Sequence, residues 1–150
     1  MSQRGEHAME AIAIRTGDHP QLEALLAQRI YEYNATATGH HDAQSFIATH
    51  PGESDHMDAG ISGYTWGGCC YVAYLWVAEP LRGKGIGSEL LKAAERHALA
   101  KGCRVVFLAS HSFQAPEFYA RRGYTQMFRV TDHPVGHENI HFVKRLHTCA

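Results

Sequence analysis

Residues 77–88 of this chain read VAEPLRGKGIGS, and this stretch decides how the rest of the sequence is interpreted. It joins an apolar run, CCYVAYLWV at residues 69–77, to a segment whose apolar residues recur every four positions. The run is typical of a strand buried on both faces, and the recurrence predicts a helix. Glycines at 83, 85 and 87 let a ligand approach the backbone. Because the first turn of a helix has unpaired N–H groups and a partial positive charge, the stretch predicts a phosphate site.

Other interpretations of this loop remain open from the residues alone. A Walker loop needs the triplet G-K-[ST], which Gly83-Lys84-Gly85 does not supply. A dinucleotide site needs G-x-G-x-x-G near the first strand, whereas these glycines run G-x-G-x-G in mid-chain. A tight turn before a helix explains one or two glycines, but not three with Arg82 and Lys84 beside them. We favour pyrophosphate binding, with a nucleotide-binding domain that prefers ATP or NAD as an alternative.

The remaining pattern predicts one domain over residues 1–150, with mixed strands and helices. A strand, a helix and a strand in succession around the loop imply a right-handed crossover and one parallel pair. The fold class is therefore α/β (α+β), with a central mixed, mostly antiparallel sheet of about seven strands flanked by helices. Helices are predicted at 20–33, 86–101 and 114–122. Strands are predicted at 9–15, 44–49, 61–66, 70–77, 104–109, 124–130 and 140–145.

Composition excludes several classes of function. The chain has 14 Lys and Arg against 15 Asp and Glu, so there is no overall basic field to bind nucleic acid. The N-terminal residues do not resemble a signal peptide, and no segment is apolar over the length that a membrane span needs. The cysteines, at 69, 70, 103 and 149, form no C-x-x-C pair. We predict free thiols in a reducing cytoplasm.

Histidine is frequent, with 12 residues, so a metal site has to be considered. His133, His137 and His141 are four apart, a spacing that would align them on a helix. Pro134 and Gly136 argue against a helix there. We therefore interpret the histidines mostly as surface residues and predict no metal site, while a site formed by some of them stays open as an alternative.

Two segments resemble motifs of the GNAT superfamily of N-acetyltransferases. RGKGIG at residues 82–87 resembles the signature R-x-x-G-x-G, and SFQAPEFYARRGY at 112–124 is similar to N-x-x-A-x-x-[hydrophobic]-Y-x-x-x-G-[aromatic]. One departure is Ser112, where the family often has Asn. The order of elements matches from about residue 9 to residue 147, and both segments are similar to small bacterial members. The resemblance implies an acetyl-CoA-dependent N-acetyltransferase that forms a homodimer.

The resemblance also implies how acetyl-CoA is held. Loop amides bind its pyrophosphate, backbone groups of the buried strand line the pantetheine and polarise the thioester carbonyl, and this strand splays from the next to admit the cofactor. Ser112 takes the place of an Asn that holds the pantetheine or the helix start. The cofactor-binding residues implied are Leu75, Trp76, Val77, Arg82, Gly83, Lys84, Gly85, Ile86, Gly87, Ser88 and Ser112.

Acyl transfer to an amine requires three chemical roles. An alkylammonium group must lose a proton, an oxyanion needs a hydrogen-bond donor, and the leaving thiolate needs an acid. The family's Tyr matches Tyr119, which the resemblance makes the acid; a core aromatic is the alternative. For the base, Glu79 is the first candidate and His111 the second, while each is equally well explained as a loop residue and water is a further proton relay.

The acceptor is expected to be a primary amine of a small molecule or peptide, bound with acetyl-CoA in a ternary complex. Tyr31, Tyr33, Trp66 and Trp76 are candidates to line its pocket, and core packing explains at least two of them better. A different class of function stays open: a non-catalytic module that senses acyl-CoA without turnover.

Overall fold

The computed structural model describes residues 11–51 and 56–147. The start of the predicted strand at 9–15 and the thiol of Cys149 therefore lie outside the described residues. The described chain forms two compact units, divided after Ala37, and a single domain over residues 1–150 stays a prediction. Within the described part of the chain, no helix is long and apolar enough to cross a membrane.

The first unit is built around one long helix, α1, Pro20–Thr38. Pro20 suits the first helical position, where no N–H is needed, and the Glu23 N–H donates to the His19 carbonyl at 2.9 Å. The strand predicted before this helix is wrong for residues 11–15, which form no strand. Ile12 and Ile14 are 91% and 89% exposed. An alternating apolar pattern becomes a strand only with a paired neighbour and one buried face, and neither occurs here.

The second unit contains a six-stranded sheet, which confirms the predicted mixed, mostly antiparallel architecture with one strand fewer than expected. Every neighbouring pair is antiparallel except the third and fourth strands, which are parallel, as predicted from the strand–helix–strand order. The spatial order is β1-β2-β3-β4-β6-β5. The strands are β1 Gln44–His50, β2 Ala59–Trp66, β3 Cys69–Val77, β4 Val105–His111, β5 Thr125–Thr131 and β6 Glu138–Arg145.

Two helices accompany this sheet. The first, α2, Ile86–Ala100, buries the apolar face that the sequence predicts, with Leu91 and Ala98 1% and 0% exposed. It packs on the first three strands, and the core includes Ile61, Cys70 and Val106. The second, α3, Pro116–Ala120, is shorter than the predicted 114–122. Its position between β4 and β5 brings it beside the start of α2.

The feature that creates a site is the separation of β3 from β4. The two strands pair only over Cys69–Tyr71, whereas β3 stays paired with β2 along its whole length. The β2–β3 register also shifts between Ser62 and Gly63, which leaves Ala73 as an extra residue on β3. Beyond this bulge, the β4-facing edge of β3 has no strand partner within the described part of the chain. Its backbone groups are therefore available to a ligand.

Candidate active site

A cleft of about 780 Å³ opens where β3 and β4 separate. Its lining comes from the edge of β3, the glycine loop at residues 82–87, the end of β4 and α3. Elements far apart in sequence therefore meet at the cleft. Of the residues predicted for cofactor binding and catalysis, the cleft is lined by Leu75, Trp76, Val77, Arg82, Gly83, Gly85, Ile86, Gly87, Ser88 and Tyr119. The predicted residues Lys84, Ser112 and Glu79 do not line it, and neither does His111, the second candidate for the base.

The glycines of the loop have different physical roles. Gly83 and Gly85 have φ of 73° and 87°, in the left-handed region that L-residues rarely adopt, and Gly85 is the N-cap of α2. An added Cβ at either position would meet nothing within 4 Å, so conformation rather than space selects glycine. At Gly87 a Cβ would lie 3.5 Å from the Phe118 ring, in ordinary contact.

Local hydrogen bonds give the loop its shape. Residues Glu79–Leu81 form a short 3-10 turn, in which the Leu81 N–H donates to the Ala78 carbonyl at 2.9 Å. The Arg82 Nε then donates to the Val77 carbonyl at 3.0 Å. This bond holds the loop against the end of β3. As a result, the open N–H groups of the first turn of α2 lie at the cleft.

Sequence reasoning missed Arg122, whose side chain joins α3 to α2. Its Nε donates to the Ser88 Oγ at 2.6 Å, and its Nη1 donates to the Phe118 carbonyl at 2.8 Å. The guanidinium carbon also lies 3.6 Å from the centre of the Phe118 ring. Arg122 lines the cleft beside the start of α2 and adds positive charge where an anion would bind. No local pattern indicates a contact between residues 34 positions apart.

Tyr119 lies on α3, is only 8% exposed and lines the cleft. Its ring packs against those of Phe118, Tyr124 and Phe142. Burial raises the pKa of the Tyr119 hydroxyl, because the phenolate would lose solvation. Among the described residues, no group forms a hydrogen bond with this hydroxyl. It therefore carries its proton at neutral pH and is free to donate it.

The other predicted catalytic and cofactor-binding side chains lie outside the lining. Glu79 is exposed on the 3-10 turn, and Lys84 is exposed in the loop. Ser112 does not cap α3, which begins after Ala115 without a side-chain cap. Instead its Oγ accepts from the Glu138 N–H at 3.0 Å and its own N–H donates to the Glu138 carbonyl at 2.8 Å. This residue therefore fastens the end of β4 to β6.

The four candidates for an acceptor pocket belong to both compact units. Trp76 is 48% exposed and lines the cleft. Trp66 donates from Nε1 to the His40 carbonyl at 2.9 Å, which is a structural contact away from the cleft lining. Tyr31 and Tyr33 lie on α1, in the other unit. Of the two tryptophans, Trp76 is therefore the one that belongs to the cleft.

The described histidines do not assemble a metal centre. No group of three or more His, Cys, Asp or Glu residues within 11–51 and 56–147 is arranged to hold an ion. His133 and His137 lie in the turn between β5 and β6, where the His133 N–H donates to the His137 carbonyl at 3.2 Å. His141 lies in β6, with its ring stacked on Phe128 at 4.3 Å between centres. As predicted, the segment is not a helix.

Comparison with known proteins gives consistent matches to acetyltransferases. The profile of the acetyltransferase (GNAT) family matches residues 9–124. Blasticidin-S acetyltransferase of Streptomyces morookaense is 35% identical over 96 residues, which are 63% of this chain and 71% of that protein.

Solved structures match over nearly the whole chain. An acetyltransferase structure from Bacillus cereus ATCC 14579 is 33% identical with a TM-score of 0.69, covering 90% of this chain and 98% of that one. One from Agrobacterium tumefaciens is 25% identical with a TM-score of 0.82, covering 91% and 99%. The likeness thus extends well beyond the two motifs.

Proposed function

The chain belongs to the acetyltransferase (GNAT) family and is an acyltransferase that uses acetyl-CoA; we propose that it transfers the acetyl group to a primary amine of a small molecule or peptide, within a ternary complex. The observation that carries this proposal is the cleft between β3 and β4. The glycine loop lies at one part of it and the buried hydroxyl of Tyr119 at another.

The residues of the cleft fit acetyl-CoA. The N–H groups at the start of α2 and the guanidinium of Arg122 suit an anionic diphosphate. The unpaired edge of β3, from Val72 to Val77, suits the amide groups of an extended pantetheine arm, because both partners are then hydrogen-bonded as in a sheet. When bound, acetyl-CoA supplies an activated acyl group, and those backbone N–H groups of Leu75–Val77 that face the open edge would polarise its carbonyl.

Tyr119 serves as the acid in this proposal. Burial keeps its hydroxyl protonated, and no described residue competes for that proton. The hydroxyl would donate its proton to the departing sulfur, so that CoA leaves as a thiol. Arg122 and Ser88 hold α3 against α2 and so fix Tyr119 relative to the loop.

A small-molecule amine is the acceptor class that the comparisons support better than a peptide. The relative that is 35% identical is a blasticidin-S acetyltransferase, so a protein of this kind modifies a small molecule. The side chains of Tyr74 and Trp76 line the cleft and are 77% and 48% exposed. They offer flat apolar surfaces to an incoming acceptor.

Release of free CoA from acetyl-CoA over a panel of amines tests the proposal. We expect release that depends on the amine and an equal amount of acetylated amine by mass spectrometry. Release without an acetylated product would indicate hydrolysis, and no release with any amine would contradict the proposed function. Calorimetry with CoA, ATP and NAD tests cofactor choice in parallel, and only CoA is expected to bind tightly.

The homodimer and the cytoplasmic location are also part of the proposal. Strand β5 is an edge strand with exposed side chains along its whole length, including Met127 at 59% and Phe128 at 55%. A second copy paired along this strand would cover them. The free thiols of Cys69, Cys70 and Cys103 support a reducing compartment such as the cytoplasm.

A further inference from the structure

His111 ends β4 and points away from α2. The side chains of Val106, Leu108 and Ser110 are buried, so the alternating His111 lies on the other face of the sheet. Beyond the bulge, Tyr74 alternates with the partly buried Leu75 and lies on this face as well. The cleft passes between these two strands. A molecule that approaches it from this face therefore meets the end of β4.

The environment of the His111 ring fixes which nitrogen carries the proton. Nδ1 lies 3.0 Å from the backbone carbonyl oxygen of His133. A carbonyl oxygen only accepts hydrogen bonds, so Nδ1 is the protonated donor. In the neutral ring the lone pair is then on Nε2, as in histidines whose second nitrogen binds a proton or metal. The ring is thus prepared to accept a proton at one defined atom.

The backbone and ring of His111 are held in place. Its N–H donates to the Gln114 Oε1 at 2.8 Å, and its carbonyl accepts from the Gln114 N–H at 2.9 Å. Its ring is stacked on Phe113, with centres 5.2 Å apart and planes 2° from parallel. Phe113 and Gln114 both line the cleft. Neither His111 nor Glu79 is itself part of the lining, but His111 is half-buried and held between residues that are, whereas Glu79 is an exposed carboxylate on a turn.

A second observation indicates a polar ligand at this position. Asn139 of β6 is the direct partner of His111 in the β4–β6 ladder, so the two side chains share a face. Its Oδ1 is buried and makes no hydrogen bond with any described residue. A buried amide oxygen without a partner is uncommon and calls for a donor. An ammonium or amine group supplies such a donor.

We propose that His111 is the general base of the reaction, acting through Nε2 on the amine of the acceptor, and that Asn139 orients this amine; the inference rests on the proposed function. Nε2 takes one proton from the ammonium group and later releases it to solvent. The neutral nitrogen then forms the C–N bond as the C–S bond breaks. Tyr119 gives its proton to the sulfur and regains one from the nitrogen. The sum is an acetylated amine, CoA thiol and one free proton.

The charged and titratable groups around His111 come from the neighbouring elements. His133 lies edge-on at 5.4 Å between ring centres, and the ring of His137 lies edge-on to that of Phe113 at 4.9 Å. On β6, His141 shares this face, and Glu138 is paired with Arg129 at 2.7 Å. Protonation of His111 removes the lone pair, so the rate is expected to fall as the pH falls.

The variant His111→Asn tests the inference. Asn places an N–H near the position of Nδ1 and so retains the bond to the His133 carbonyl, but has no base at Nε2. We expect kcat/KM to fall about 10²–10⁴-fold, the acidic limb of its pH profile to disappear, and CoA affinity to stay unchanged. His141→Gln, a histidine-to-amide change on the same face, is the control and should behave like the native protein.

An acceptor with an amine of low pKa separates a base from a structural role. Such an amine is already neutral at the pH of the assay, so the defect of His111→Asn should shrink with it. A defect equal for both kinds of amine, or an acidic limb that Glu79→Gln removes and His111→Asn retains, would overturn the inference. If His111→Asn is insoluble, His111→Gln replaces it with the same expected results. Absence of acetyl transfer by the native protein would instead contradict the proposed function.

Discussion

In the proposed reaction, Tyr119 donates its proton to the departing sulfur of CoA. In Tyr119→Phe the ring is retained and only the hydroxyl is lost, so we expect CoA affinity to be unchanged and kcat to fall about 10²–10⁴-fold. The hydroxyl must be protonated to act, and burial raises its pKa. On the alkaline side, the rate of the native protein should therefore begin to fall only above pH 10, the ordinary pKa of tyrosine, and Tyr119→Phe should lack this alkaline limb. Steady-state kinetics across pH measures both effects.

Tyr124→Phe is the matched control for this change. Tyr124 is also buried, its ring lies 5.8 Å from that of Tyr119, and its hydroxyl donates to the Glu95 Oε1 at 3.0 Å instead of facing the cleft. We expect near-native turnover from Tyr124→Phe. Equal losses of turnover in the two variants would show that ring packing, rather than proton donation, explains the result.

At the residue scale, sequence motifs predicted the residues that a local backbone conformation selects. They did not predict contacts between residues that only folding brings together. Gly83 and Gly85 were predictable because a left-handed backbone and an open helix start select glycine. The link between Arg122 and Ser88 was not, because it depends on how α3 lies against α2. The protonated nitrogen of His111 likewise depends on a carbonyl 22 positions away.

At the scale of elements, α2 is fastened to β6 by an ion pair. Lys144 of β6 lies 2.9 Å and 3.0 Å from the two carboxylate oxygens of Glu95, and its side chain is 26% exposed against 16% for Glu95. In Lys144→Met, Tyr124 is the one hydrogen-bond partner that the carboxylate keeps among the residues the structure describes. We expect the free energy of unfolding to fall by about 1–3 kcal/mol, measured by urea denaturation.

The same helix offers a control for this prediction. Lys92 and Glu89 form an ion pair at 3.0 Å with side chains 61% and 67% exposed. Because water screens such a pair, Lys92→Met should change the free energy of unfolding by less than about 0.5 kcal/mol. If the two variants lose equal stability, burial does not strengthen the Lys144 pair.

Element types were predictable where the pattern was local and long. The four-residue recurrence of α2 and the glycines between β2 and β3 gave the correct helix and hairpin. The strand expected at residues 11–15 failed because alternation says nothing about a partner strand. The bulge at Ala73 and the separation of β3 from β4 set the position of the cleft, and they depend on pairing between strands rather than on any residue pattern.

At the scale of the whole molecule, the proposed homodimer makes a prediction about mass. Light scattering after size-exclusion chromatography should give about twice the chain mass of 16.7 kDa. Met127→Lys places a charge in the exposed apolar strand β5 and should shift the protein toward the monomer. A monomeric native protein, or a variant that dimerises as tightly, would contradict pairing through β5.

Acetyl-CoA binding in the proposed function depends on contacts between its diphosphate and the N–H groups at the start of α2. Calorimetry of CoA binding to Gly85→Asp tests this directly, because the new carboxylate would repel a phosphate there. Gly102→Asp is the control: Gly102 also has a positive φ, 76°, with open space around it, but follows the other end of α2. We predict that Gly85→Asp weakens CoA binding about tenfold or more and that Gly102→Asp does not. Unchanged affinity in Gly85→Asp would contradict the central claim.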